Sequence, residues 1–332
     1  MARSPSRIGR GRSGRSLLTL ITSIALLVVG LVFYGWYGNG PAATPTEVQV
    51  AQGSSLTSAA SVLEEAGAIR SAEAFLALAK LFGSKEPIRA GEYEVPKGAS
   101  ASEILELLQS GRTLQRFVTI PEGMPSILVH EKLMAEPLLV GAVPVPAEGS
   151  VLPDSYSFER GERRAAVLRR MQSAMTKTVD ELWKARKPGL AVGSKKEAVT
   201  LASIVEKETG VPAERRTVAA VYSNRLKMGM RLQADPTTIY PITKGKPLGR
   251  RILQSELNAV NGYNTYAKAG LPIGPIANPG RASIAAVLDP APSRALYFVA
   301  DGKGGHVFAD TLDQHNANVR KWYAIRRARG EM

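Results

Sequence analysis

Between Arg15 and Glu47 the chain carries no charged residue, and within that gap residues 17–37, LLTLITSIALLVVGLVFYGWY, are apolar almost throughout. A helix of that length rises ~31 Å, about the thickness of a bilayer's hydrocarbon core. Phe33, Tyr34, Trp36 and Tyr37 collect at its far end, where amphipathic rings favour the boundary between lipid and water. Arg3, Arg7, Arg10, Arg12 and Arg15 precede it without a single acid, so residues 1–16 read as a basic tail that stays cytoplasmic. Everything after Gly38 then lies on the other side. A cleaved signal peptide is the competing reading. The run exceeds a usual signal core and Pro41-Ala42-Ala43 is a weak cleavage site, which favours a retained single-pass anchor. Residues 38–46, GNGPAATPT, read as a short flexible linker.

The formal net charge is +14, and the chain remains basic once the tail is set aside. Such a balance suits nucleic acid, anionic lipid or an anionic polymer, and does not choose among them. Export and the lack of interleaved basic and aromatic residues argue against nucleic acid. The sequence has no cysteine, so neither a disulfide framework nor thiolate chemistry is available. Its three histidines, His130, His306 and His315, are too scattered for a recognisable metal signature, and no cofactor is expected.

After the linker, residues 47–50 alternate as a strand and Ser55 caps a helix that Gly67 stops. Residues 71–82 place Phe75, Leu78, Ala79 and Phe82 at helical spacing, and residues 88–95 read as a strand. Ser100 and Glu103 form a capping box for a helix ending near Gly111; residues 114–120 read as another strand. A strand, two short helices and a strand resemble the LysM module that binds N-acetylated glycans, although a plain α+β spacer fits the pattern as well. The subdomain spans 47–113 and a larger mixed α+β unit follows over 114–332, giving an α+β protein behind a transmembrane helix.

In the larger unit residues 163–186 form one long helix with Val167, Leu168, Met171, Met175, Val179 and Leu182 inward. The next, residues 195–209 (KKEAVTLASIVEKET), places Ala198, Leu201, Ala202 and Val205 on one stripe. Glu206 and Glu208 flank that stripe on opposite edges, so they cannot act as a facing pair. Each is half sheltered, and desolvation at such an edge raises a carboxyl's pKa toward the range of a general acid. On spacing alone both are ordinary helix glutamates. Further on, Asn278 and Pro279 read as cap and first turn of a helix over 281–288. Residues 296–300 and 306–309 form a hairpin across a glycine-rich turn that lacks the Lys-Ser/Thr ending of a phosphate-binding loop. His306 reads as a structural histidine or a substrate contact. Thr311 and Gln314 box the start of a terminal helix with Leu312, Val319, Trp322 and Ile325 inward.

Five separated blocks carry a resemblance: EGSVLPDSYSF at 148–158, ASIVEKET at 202–209, VYSNRLKMGMRLQADPTTIY at 221–240, YNTYAKAGLPIGPIANPG at 263–280 and LYFVADGKGGHVFADTLDQHN at 296–316. In order and spacing they resemble the MltG-type (YceG-like) endolytic murein transglycosylases. The resemblance implies an enzyme of the bacterial inner membrane with its catalytic domain in the periplasm. It would cut the β-1,4 bond between N-acetylmuramic acid and N-acetylglucosamine inside glycan strands, leave a 1,6-anhydro end, and so terminate nascent strands. It also implies partnership with the peptidoglycan synthases of the elongation machinery, and places the catalytic acid and base on the first glutamate of the block, Glu206. Asn224, Gln233, Asp235, Tyr240, Asn264 and Tyr266 are the polar residues of matching blocks, expected to bind sugar or orient the acid. Ala234, Pro241, Asn261-Gly262 and Ile273 depart from the family's pattern at positions read as loops. Two alternatives remain: a muramidase using a second carboxylate such as Asp235, and a non-catalytic wall-binding scaffold for synthases.

Overall fold

The computed structural model describes residues 12–331, with side chains from Leu17 onward; Arg3, Arg7 and Arg10 of the basic tail lie outside them. The described residues divide into two compact units, with the boundary between Gln115 and Arg116. It is a mixed α+β protein, and among the described residues the strands pair in twos, in three small antiparallel sheets.

The first unit opens with α1 (Arg12–Tyr37), whose segment Leu17–Tyr37 is long and apolar enough to cross a membrane or to serve as a signal. Beyond it come β1 (Thr46–Val50), α2 (Leu56–Glu65), α3 (Ala72–Phe82), β2 (Gly91–Val95) and α4 (Ala101–Ser110). β1 pairs with β2 in register from Thr46 opposite Val95 to Val50 opposite Gly91. Ser55 caps α2, and the Ser100–Glu103 box on α4 is complete, with Gly111 ending that helix in the left-handed region. Val48, Leu63, Phe75, Tyr93, Ile104 and Leu108 fill the core between these elements.

Two expectations change here. Trp36, read as an interfacial ring, is only 2% exposed and packs between Phe75 and Phe82, with ring centroids 6.5 and 6.2 Å away. Burying an indole this way outweighs leaving it at a lipid boundary, because it seals a core that a unit this small can hardly complete otherwise. The segment read as a flexible linker is also docked: Gly40 N–H donates to Gly98 O (3.1 Å), Gly98 N–H donates to Ala42 O (2.9 Å), and Ala42 is buried.

The second unit contains β3 (Arg116–Thr119), α5 (Ser126–Ala135), β4 (Ser155–Phe158), α6 (Arg164–Lys184), α7 (Lys195–Glu208), a 3₁₀ turn (Pro212–Glu214) and α8 (Arg215–Lys227). There follow α9 (Asp235–Thr243), α10 (Gln254–Asn258), α11 (Arg281–Leu288), β5 (Tyr297–Ala300), β6 (His306–Ala309) and α12 (Leu312–Ala328). β3 pairs with β4 and β5 with β6, the latter from Tyr297 opposite Ala309 to Ala300 opposite His306. One core lies between β3, α5, β4 and the first half of α6; a larger one surrounds α7. Every residue of α7 from Ala198 to Val205 is buried, so α7 is a central helix with α6, α8, α9 and α11 against it. Two predicted details differ. Leu312 is 53% exposed instead of inward, since it occupies the first turn of α12, ahead of the face that packs on the hairpin. Ala234 and Pro241 are not in loops: Ala234 is the buried N-cap of α9 and Pro241 sits within its last turn.

Candidate active site

The last turn of α7 sends its two glutamates into different surroundings, as residues two apart on a helix must be. Glu206, with a side chain 6% exposed, reaches the start of α11, where its Oε2 accepts the Gly280 N–H at 2.9 Å. Its Oε1 lies 3.7 Å from the Arg215 guanidinium, which is 3.6 Å from Glu122 as well. Gly280 is the N-cap residue of α11 and has no side chain to cap the first turn; the Glu206 carboxylate takes the N–H of Gly280 itself, at the positive end of the helix dipole. The approach is tight. A Cβ on Gly280 would fall 1.9 Å from Glu122 Oε1, so a larger residue there would have to push the Glu122 side chain aside.

Asn278, predicted to cap α11, does not. Its Oδ1 accepts the Val151 N–H at 3.0 Å, and its Nδ2 donates to Met124 O (2.9 Å) and Ser126 Oγ (3.1 Å). A buried amide with these partners ties three loops together, which the short reach to a helix end would forgo. Glu148 takes part in the same network, accepting the Ser126 N–H at 2.9 Å, and burial raises its pKa.

Glu208 points the other way. One carboxyl oxygen, Oε1, is buried and has no hydrogen-bond partner. Around the group stand the Tyr222 hydroxyl, Asp235, His306 and Arg225. Burial, followed by the negative charge of Asp235, pushes the Glu208 pKa up to about 7, against the opposing pull of Tyr222, His306 and Arg225. Tyr222 is fully buried, and its hydroxyl is raised well above the usual tyrosine value by burial and by Glu208. Arg225 is occupied by main-chain carbonyls: its Nε donates to Leu296 O at 2.7 Å and its Nη1 to Leu232 O at 2.6 Å. Tyr266 donates its hydroxyl to Asp235 Oδ1 at 2.5 Å, and burial followed by Asp235 raises its own pKa.

The six predicted companions of the acid separate accordingly. Asp235, the first residue of α9, and Tyr266 meet each other on the Glu208 side. Tyr240 is buried in α9, with its ring 4.8 Å from Tyr263 and Glu148 beside its hydroxyl. Asn264, 1% exposed, is a loop hub: Nδ2 donates to Glu256 O, Leu257 O and Ala259 O, while Oδ1 accepts the Tyr266 N–H at 2.9 Å. Asn224 donates to Ser293 O (2.9 Å) and Ala295 O (3.1 Å), pinning α8 to the approach to β5. Gln233 is exposed, with φ +52° and its backbone N–H bonded to Thr265 O; a non-glycine residue there is held in a sparsely populated conformation. Glu206, the predicted acid, has Gly280 and Arg215 as partners and none of these six. Tyr222, Arg225 and Glu214 did not stand out in the sequence. No local signal marks them, since Tyr222 and Arg225 lie on α8 and Glu214 in the turn before it, off the wheel of α7.

A model of the YceG-like family matches residues 48–321. The chain belongs to the YceG-like family. An endolytic murein transglycosylase of Bacillus subtilis (strain 168) is 30% identical over 311 residues, covering 84% of this chain and 85% of the relative. One of Streptococcus pneumoniae serotype 2 (strain D39 / NCTC 7466) is 28% identical over 322 residues, covering 82% of this YceG-like chain but 57% of its longer relative. The crystal structure of a yceG-like protein of Listeria monocytogenes is similar as well, with a TM-score of 0.52 and 27% identity, covering 82% of this chain and 98% of that one.

Proposed function

We propose that this YceG-like protein is an endolytic lytic transglycosylase of peptidoglycan, held in the inner membrane by α1 with the chain after Gly38 in the periplasm. The relatives named above support the reaction class. The observation that carries the mechanism is the buried Glu208 carboxyl, whose pKa of about 7 lets it hold a proton and release it at neutral pH. The sequence reading gave that role to Glu206. Its engagement as the cap of α11 and the partner of Arg215 supports a structural task instead.

In this reading Glu208 gives its proton to the glycosidic oxygen as the bond from N-acetylmuramic acid to N-acetylglucosamine breaks. The muramic 6-hydroxyl attacks its own anomeric carbon and passes its proton to the Glu208 carboxylate, which closes the 1,6-anhydro ring and restores the acid. No water enters and one carboxyl suffices, because the nucleophile is tethered to the reacting carbon. Hydrolysis by two carboxylates would call on Asp235, whose Oδ1 accepts the Tyr266 hydroxyl, and the product ends separate the two reactions.

Digestion of nascent, uncrosslinked glycan strands, with mass spectrometry of the ends, tests the reading. Anhydro-muramic ends that vanish in Glu208→Gln are expected; reducing muramic ends would reject the transglycosylase mechanism. The β1-α2-α3-β2 arrangement supports a glycan-binding role for the first unit, checked by pull-down on sacculi. Cross-linking in membranes would test partnership with synthases.

A further inference from the structure

The reaction outlined above leaves one well-built polar arrangement beside Glu208 unused. Glu214, at the end of the 3₁₀ turn before α8, grips His306 twice: the His306 N–H donates to Oε1 at 2.8 Å, and ring Nδ1 meets Oε2 at 2.8 Å. Both side chains are largely buried. The glycine-rich turn between β5 and β6 is shaped for this grip. Asp301 Oδ1 accepts the N–H groups of Lys303 (2.6 Å) and Gly305 (3.0 Å), and a Cβ on Gly305 would lie 2.6 Å from Glu214 Oε1. The Phe298 ring then stands edge-on to the imidazole at 5.1 Å and edge-on to Tyr222 at 5.9 Å, so His306 is packed toward the residue that flanks Glu208.

We propose that Glu214 and His306 are a positioning pair for Glu208: the Glu214 carboxylate fixes the imidazole, and the imidazole held in that place favours the negative charge that appears as Glu208 turns from acid to base. The proposal rests on the reading of Glu208 as the reacting acid. A carboxylate created in a buried site is costly unless charge or donors await it. The groups facing Glu208 are Tyr222 and Arg225 from α8, Asp235 from α9, Tyr266 from the loop between α10 and α11 and His306 from β6. Asp235 opposes the new charge, and Arg225 is already shared with two carbonyls. His306 acts on Glu208 in the favourable direction.

The test uses the full-length chain in detergent micelles with uncrosslinked glycan strands, reading kcat/KM against pH. His306→Gln and Glu214→Gln should each lower the maximum about tenfold, the size of an ordinary positioning effect. Each should also move the alkaline limb to higher pH. The double variant should be no slower than His306→Gln alone, and Glu214→Asp should return the limb toward its wild-type position. Profiles that superimpose on wild type after scaling would overturn the pair and leave it a structural clamp. If His306→Gln does not fold, the Glu208 carboxyl-carbon titration by NMR in Glu214→Gln decides, with an upward move expected and no move sinking the proposal. An inactive Glu208→Gln with unmoved profiles in the pair variants removes the pair alone. A Glu208→Gln enzyme working at the wild-type rate removes the underlying reading and the pair with it.

Discussion

Glu206 and Glu208 differ in sequence by one intervening lysine, yet one is held by a main-chain N–H and a guanidinium while the other carries an unpartnered, buried oxygen. Their amide variants should therefore diverge. Glu208→Gln is expected to lower glycan cleavage by a factor of about 10² to 10⁴, the usual contribution of a general acid. Glu206→Gln keeps an acceptor for Gly280 and loses charge beside Arg215; it should retain activity within about tenfold and cost on the order of 1 kcal/mol of stability, read by thermal melting. The same contrast sets the pH response. Glu208 must hold its proton to act as acid, so wild-type kcat/KM should fall as pH rises through about 7. Stability carries a matching sign. A carboxyl whose folded pKa lies above its unfolded value stabilises the fold most below the unfolded value and loses that contribution as pH rises through the folded one. Above pH 7 wild type holds a buried carboxylate, so Glu208→Gln should melt higher than wild type there, by up to about 3 kcal/mol, and the advantage should vanish below pH 4.

At the scale of elements, α7 is the piece from which the site is hung. Ser203, wholly buried in it, donates to Thr200 O at 2.7 Å and accepts the Ile276 N–H at 3.0 Å, tying the helix to the loop that leads into α11. Ser203→Ala leaves that N–H without a partner and should cost about 1–3 kcal/mol in denaturant titrations, with little direct effect on the Glu208 pKa. Much of this helix was legible in the sequence. Its apolar stripe and the divergence of the two glutamates both follow from 100° per residue. Which edge faces a site was not legible, because that depends on α8, α9 and the β5–β6 hairpin, whose residues lie tens of positions away. The same limit explains Asn278. Its sequence neighbours read as a helix cap, and only the folded loops reveal that Val151, Met124 and Ser126 claim its amide. Capping boxes, by contrast, are local by construction, and those at Ser100 and Thr311 form as their spacing requires.

At the scale of the molecule, the apolar stretch was plain from composition, while the fate of its aromatic end was not. Hydropathy treats Trp36 and its neighbours alike, and the side chains that enclose Trp36 come from α3, some forty residues later. Trp36→Ala should weaken the first unit by about 3–5 kcal/mol, seen as lost amide-exchange protection across β1 and β2 while the second unit is unaffected. A soluble fragment starting at residue 38 should behave likewise. This has a mechanical corollary. Where α1 crosses a bilayer, its exit is stiff: its final turn is packed into the βααβ module, and the segment that follows is tied to the same module at Gly40 and Ala42. Any lean that the helix takes up to match a thinner or thicker bilayer is then handed on to that module as a change of pitch, so bilayer thickness sets the module's tilt.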